Sequence, residues 1–289
     1  MQSIIYIGLL VALAAEIHGH GVVTQIQGAN GVNMPGLSVI DGTPRDCASP
    51  GCGAEADTSI IRENELGSNK ASALGRTNGG GPVDAASAIS MFMTGSSSSS
   101  SSGKRGLLDG LLGGNNNNNG GSSADGTSTR DSPVEGGVKT AAGTGSKSGL
   151  PTCSDNGTIS MTFHQVNQDG AGSLTAMIDP TSGGTDASAF QKAEVTQDVP
   201  GNRLGLSSAT TMDFPIKVQM PEGMTCSGNA GGASNVCIVR VNNNALAGPF
   251  GGSAAFTMSH AAKKRAVEFN LAKRHMARGI LKRTEVDSE

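Results

Sequence analysis

Three observations predict an all-β fold, an antiparallel β-sandwich with long loops. "TISMTFHQV", from Thr158, alternates Ile159, Met161 and Phe163 with Ser160, Thr162 and His164, the two-residue period of a half-buried strand. "DFPIKVQMP" and "VCIVRVNNNALAGPFGGSAAFTM" are further strand-like runs bounded by Pro, Gly and Asn. From His20 to Met93, short strand-like runs alternate with the turn signals "MPG", "DGTP" and "ASPG", and no helical period emerges. Strands that each bury one face need a second layer to bury it against, which makes a sandwich the economical arrangement.

Residues 1–19 read as a signal peptide. Their apolar run "IIYIGLLVALAA" is too short to span a bilayer. Cleavage favours a small residue before the cut, so Gly19 before His20 and Ala15 before Glu16 are the plausible sites, and the reading takes His20 as the first mature residue. The mature protein is then expected to be secreted, extracellular or associated with a cell wall, with no transmembrane segment.

Residues 20–93 form the first part of the sandwich. Residues 94–149 collapse into "GSSSSSSSGKR", "GLLDGLLGG", "NNNNNGGSS" and "AAGTGSKSG", a low-complexity insert expected to be disordered because it has little apolar surface to bury. Residues 150–260 form the second part. His164 falls on the face of its strand away from the core, and the sequon Asn156-Gly157-Thr158 accords with a secretory route.

Residues 261–289 differ in kind, forming a basic C-terminal helix or tail. Ala262, Ala266, Phe269, Ala272, Met276 and Ile280 recur at helical spacing, and the segment carries eight Lys or Arg against four Asp or Glu. Its basic clusters end at Arg265, Arg274 and Arg283, and Lys104-Arg105 makes a further pair inside the insert. Such pairs suit a solvated helix, adhesion to a membrane or wall, or cutting by secretory proteases specific for dibasic pairs.

The five cysteines are Cys47, Cys52, Cys153, Cys226 and Cys237, and in a secreted chain most would be oxidised. Cys226 and Cys237 flank a glycine-rich turn and Cys47 and Cys52 flank "ASPG", so either pair could close a hairpin, with one thiol left over. Signals for other chemistries are missing: there is no GxSxG elbow, no HExxH and no CxxC, and the glycine-rich "GTGSKSG" and "NGGGPVD" lack a phosphate-binding pattern.

A histidine at a mature N-terminus can chelate one metal ion through its α-amine and its ring, with a second histidine ring completing a T-shaped site. Nitrogen donors in that near-planar set suit copper. His20 supplies the chelate. The second ring is taken as His164, with His260 and His275 as the other candidates, and Phe250 or Phe256 could close an axial face.

The blocks "HGVV", "DGTPRDC", "GCGAEADTSIIRENELG", "GRTNGGGPVDAA", "HQVNQDGAG", "EVTQDVPGNR", "DFPIKVQMPEGMTC" and "VCIVRVNNNALAGPFGG" together resemble the Egh-like, appressorium-specific family of fungal secreted virulence factors. The resemblance covers most of 20–93 and 151–258. It implies a fungal factor for penetrating a host. The "HG" start, the strand histidine and the "GPFGG" ending are also similar to lytic polysaccharide monooxygenases, which implies a His20–His164 brace holding copper, with Phe250 or Phe256 as axial neighbour. The resemblance further implies a cysteine after "GPFGG", where Ser253 stands, leaving one thiol unpaired.

Two functions follow as expectations. One is a copper-dependent oxidative enzyme acting on host or fungal cell-wall polysaccharide. The other is a non-catalytic effector that binds wall components or copper; the lack of any Trp, and of any Tyr after Tyr6, argues for it because stacking surfaces for polysaccharide use those rings. Neither nucleic acid nor a second copy of the chain is expected as a partner.

Overall fold

The computed structural model describes residues 20–96, 126–129 and 134–286, with side chains as far as Ala277. The signal peptide, most of the low-complexity insert with Lys104-Arg105, and the last three residues lie outside the described residues.

Among the described residues, thirteen strands form one curled, wholly antiparallel sheet. In chain order they are β1 (Gly21–Gln27), β2 (Asn33–Pro35), β3 (Ser59–Ile60), β4 (Arg76–Thr77), β5 (Gly81–Pro82), β6 (Thr127–Ser128), β7 (Thr158–Gln165), β8 (Thr175–Asp179), β9 (Gln191–Gln197), β10 (Met212–Gln219), β11 (Gly228–Ala230), β12 (Ala233–Asn242) and β13 (Phe250–Phe256). The spatial order is β2-β1-β7-β10-β9-β8-β12-β13-β3-β4-β5, with β11 on β12 and β6 on β10. The sheet curls until β13 lies against β1. A Cβ on Gly252 would sit 2.6 Å from the amide nitrogen of Val23, and Leu37 N–H donates to the Ser253 carbonyl at 2.8 Å. Gly252, the second glycine of the "GPFGG" ending, is therefore what lets these two backbones approach this closely.

The expected alternation is present. Ile159, Met161 and Phe163 are buried and join Phe214, Ile216 and Val218 of β10 in the core, each large side chain contributing about 1.5–3 kcal/mol by leaving water. Both expected disulfides are formed, Cys226–Cys237 across the β11–β12 hairpin and Cys47–Cys52 around a 3-10 turn, Pro50–Cys52, rather than a hairpin.

Cys153 is the free cysteine, buried, with its thiol pushed up by burial. It stands beside Thr257, whose carbonyl accepts its amide at 3.0 Å, four positions along from Ser253. Ser253 instead lies opposite Arg240 in the β12–β13 ladder, so a cysteine there would not meet Cys153 directly.

Two helical features depart from expectation. Residues Ala85–Thr94 form α1, in a stretch read as strands and loops. Asp84 caps it by accepting from the Ser87 amide, Gly95 ends it at φ 74°, and Ala85, Ile89 and Phe92 are buried. The end of the stretch read as the disordered insert is also folded, into α2 (Gly137–Ala141) and α3 (Gly145–Ser148).

That end is held by apolar contacts, with Leu150 in the core, Ala141 packed against it and Gly145 against Phe92, and by polar ties. Asp41 accepts from the amides of Val138 and Lys139. Arg45, 5% exposed, pairs with Asp57 and reaches Glu135 at 3.0 Å, and although burial works to lower the Arg45 pKa, the two carboxylates raise it above its usual value. Composition could not show this, because the partners stand some ninety residues apart in sequence.

The expected C-terminal helix is present as α4 (His260–Val286). It docks by Ala262 and Ala266, both buried, and by Asn270 Nδ2, which donates to the Gly223 carbonyl at 2.8 Å. Among the described residues no helix is long and apolar enough to cross a membrane.

Candidate functional site

The site begins with a ladder. Val22 on β1 is paired with His164 on β7, and the Val166 amide donates to the His20 carbonyl at 2.9 Å. Residues two apart on a strand share a face, so continuing this register makes His20 and His164 diagonal neighbours on one face. The glycine of the "HG" dipeptide has a steric cause. A Cβ on Gly21 would lie 2.4 Å from the Phe163 ring and 2.9 Å from the Gly170 carbonyl oxygen.

His164 is fully buried, which corrects the expectation of an outward, exposed ring. Alternation gave its face correctly but not what covers that face. Loops close over this end of the sheet: Thr211 N–H donates to the Val166 carbonyl, Thr129 bridges Arg45 and Thr211, and Gln165 is tied to Ser207 and Ala209. Nδ1 of His164 lies 2.8 Å from Oδ1 of Asp213, while its Nε2 is buried with no hydrogen-bond partner among the described residues. A carboxylate partner favours the tautomer with the proton on Nδ1, the form in which Nε2 can ligate a metal.

His20 is likewise enclosed, at 1% exposure. Its main-chain nitrogen donates to Asn167 Oδ1 at 2.7 Å, and its Nδ1 lies 3.1 Å from Glu55 Oε1, which also accepts from Asn167 Nδ2 at 3.1 Å. Glu55 is delivered by the turn that follows the Cys47–Cys52 disulfide.

Phe250 stacks on the His20 ring, with centroids 4.5 Å apart and planes at 29°. Of the two axial candidates, then, it is Phe250 that the fold brings to the histidine. Phe256 is a core residue paired with Cys237, further along β13. His260 opens α4, beyond the far end of β13, and His275 lies further along that helix.

Four supporting residues escaped the sequence reading: Glu55, Asn167, Asp213 and Asn243. Asn243 is fully buried and uses both ends of its amide. Its Nδ2 donates to the carbonyls of Asp169 and Ala171, and its Oδ1 accepts from the amides of Ala245 and Phe250. It thereby ties the loop against His20 to the loop that carries Phe250. Among the described residues, no group of three or more His, Cys, Asp or Glu side chains is arranged to hold a metal. A brace asks for two rings and an amine, and only the rings are side chains.

The model of the Egh16-like virulence factors matches residues 18–251, a span that takes in His20, His164, Asp213 and Phe250. The chain belongs to this family. It is 57% identical over 282 residues to the appressoria-specific virulence factor GAS2 of Pyricularia oryzae, covering 96% of this chain and 97% of that one. It is 28% identical over 266 residues to the appressoria-specific virulence factor GAS1 of the same fungus, covering 92% and 82%. No solved structure matches this family member.

Proposed function

We propose that the mature chain begins at His20 and serves outside the cell as a host-penetration factor whose His20 and His164 bind one cupric ion. The observation that carries this reading is Nε2 of His164: buried, without a hydrogen-bond partner among the described residues, on a ring held by Asp213 beside His20. A buried polar atom left unpaired is costly, and a metal ion would satisfy it.

The residues fit such an ion. Removing residues 1–19 would turn the main-chain nitrogen of His20 from an amide into an amine, giving a chelate of amine and ring, with Nε2 of His164 as the third nitrogen donor. Asn167 orients the main-chain nitrogen, Asp213 holds the proton on Nδ1 of His164, and Phe250 shields one face of the His20 ring from water. Glu55 adds a carboxylate within reach of the same ring. Copper bound there would supply one-electron redox chemistry, suited to oxidative attack on wall polysaccharide.

The second reading, an effector that binds copper or wall components without turnover, is favoured by two observations: both rings are enclosed, and no Trp, nor any Tyr after Tyr6, is available to stack on sugar.

Copper titration of a chain starting at His20, against one that retains Gly19, tests the chelate. Binding is expected to weaken at least tenfold when Gly19 caps the amine, and equal affinity would remove the amine from the site. Incubating the copper-loaded protein with cellulose or chitin and a reductant separates the readings. Soluble oxidised sugars mark an enzyme, and their absence marks a binder.

A further inference from the structure

The three dibasic clusters of the C-terminal segment have no part in the histidine site, and the structure distinguishes between them. Around Lys264-Arg265, α4 is seated on the body. Ala262 and Ala266 are buried, Arg265 Nη1 donates to the Asp155 carbonyl at 2.9 Å, and Ser259 Oγ donates to Asp155 Oδ1 at 2.8 Å. Among the described residues the last tie to the body is Asn270 to Gly223, and from Leu271 to Ala277 every residue is exposed.

An endoprotease needs its substrate extended, so a helical site must unwind before it is cut, and unwinding costs more where the helix is packed and hydrogen-bonded to the body. Opening α4 at Arg265 would expose two buried alanines and break the hydrogen bonds to Asp155. Opening it at Arg274 breaks helical bonds in a stretch exposed from Leu271 to Ala277, and an isolated helix of that length is marginal in water.

We infer that, within α4, Lys273-Arg274 is the innermost pair open to a secretory endoprotease specific for dibasic sequences, which would hydrolyse the Arg274–His275 peptide bond. Water supplies the hydroxyl of the new Arg274 carboxylate and the proton of the new His275 amine. The released piece, 275–289, carries three Arg or Lys against three Asp or Glu, so cutting there leaves the whole basic surplus of the segment on the protein, whereas cutting at Arg265 would release five Arg or Lys against four Asp or Glu. His20 and His164 are untouched, and His275 leaves with the tail.

The inference rests on the proposed secretory route, so the test has two arms. Purified full-length chain is treated with a dibasic-specific endoprotease and followed by intact mass. The expected limit product ends at Arg274, and a product ending at Arg265, or one that keeps His275 to Arg283, overturns the assignment. The same measurement is made on protein secreted by a fungal host, where an end at Arg274, or at Ala272 after trimming of the exposed basic pair, is expected. Secreted protein ending only at Glu289 overturns processing. Lys273→Ala with Arg274→Ala should abolish the cut, while Lys264→Ala with Arg265→Ala should leave the product mass changed only by the substitutions. Should the chain stay inside the cell, the secretory reading fails and the first arm still decides which pair is open.

Discussion

His164 on β7 and Asp213 on β10 face each other as register partners, with Nδ1 of the ring 2.8 Å from a carboxylate oxygen. The ring is fully buried while the Asp213 side chain is 36% exposed, so the pair spans from the interior to the surface. The contact decides which ring nitrogen faces inward, and it makes Asp213 a positioning residue for whatever Nε2 binds.

Asp213→Ala should weaken copper binding by about tenfold, the low end for loss of a carboxylate that orients a ligating histidine. Stability should fall as well, by about 1–3 kcal/mol, because Nδ1 of the fully buried ring loses its partner. Unchanged affinity on titration would mean that the ring needs no such support.

Gly21→Ala should destabilise the fold even though alanine is a small residue in a strand. Its methyl would collide with the Phe163 ring and the Gly170 carbonyl, an overpacking cost of about 1–3 kcal/mol. At about 2–4 °C per kcal/mol for a domain of this size, the melt should fall by several degrees. A melt within a degree of the parent would show that Phe163 moves aside freely.

Asn243→Ala removes both donors and the acceptor that join the loop 169–171 to Phe250. Buried groups left unsatisfied cost about 1–3 kcal/mol each, so a loss of at least that size is expected on denaturant unfolding. Copper affinity should fall as well, since Phe250 and the loop beside His20 both lose their anchor. Full stability would show that water replaces the amide.

Asp179 ties stability to pH. Burial alone pushes its carboxyl up, but hydrogen bonds from Ser182, Thr181 and Gly184 outweigh burial and hold it below the usual carboxylate range. A depressed folded-state value contributes stability above the ordinary aspartate value of about 4, lost as pH falls through the depressed value. Asp179→Asn should therefore be less stable at neutral pH, and its deficit should shrink in acid. Equal melts for the two proteins at pH 7 would contradict this.

How far the sequence could be read follows from what each signal contains. The alternation in β7 identified Ile159, Met161 and Phe163 as core and set His164 on the opposite face, because period and face are local properties. That His164 is nonetheless buried depends on loops around Arg45, Thr129 and Thr211, which no local pattern announces. Helix α1 carried its signal in Asp84, Gly95 and the spacing of Ala85, Ile89 and Phe92, but the neighbouring turn-rich text hid a helix of only ten residues. Glu55, Asn167 and Asp213 meet the histidines through contacts across sheet and loops, and Asp213 is 49 residues from His164 along the chain. The choice of Phe250 over Phe256 likewise needed the ladder that places Phe256 opposite Cys237.

The central claim, a copper site built from His20 and His164, is tested most directly by titrating Cu(II) into protein that starts at His20, with and without His164→Ala, and recording the electron paramagnetic resonance spectrum of each. One cupric ion in a nitrogen-rich tetragonal site is predicted for the parent, with affinity at least tenfold weaker in the variant, about 1.4 kcal/mol or more. The same affinity and spectrum in both proteins would contradict the account, because the buried Nε2 that carries it would then have no part in holding the metal.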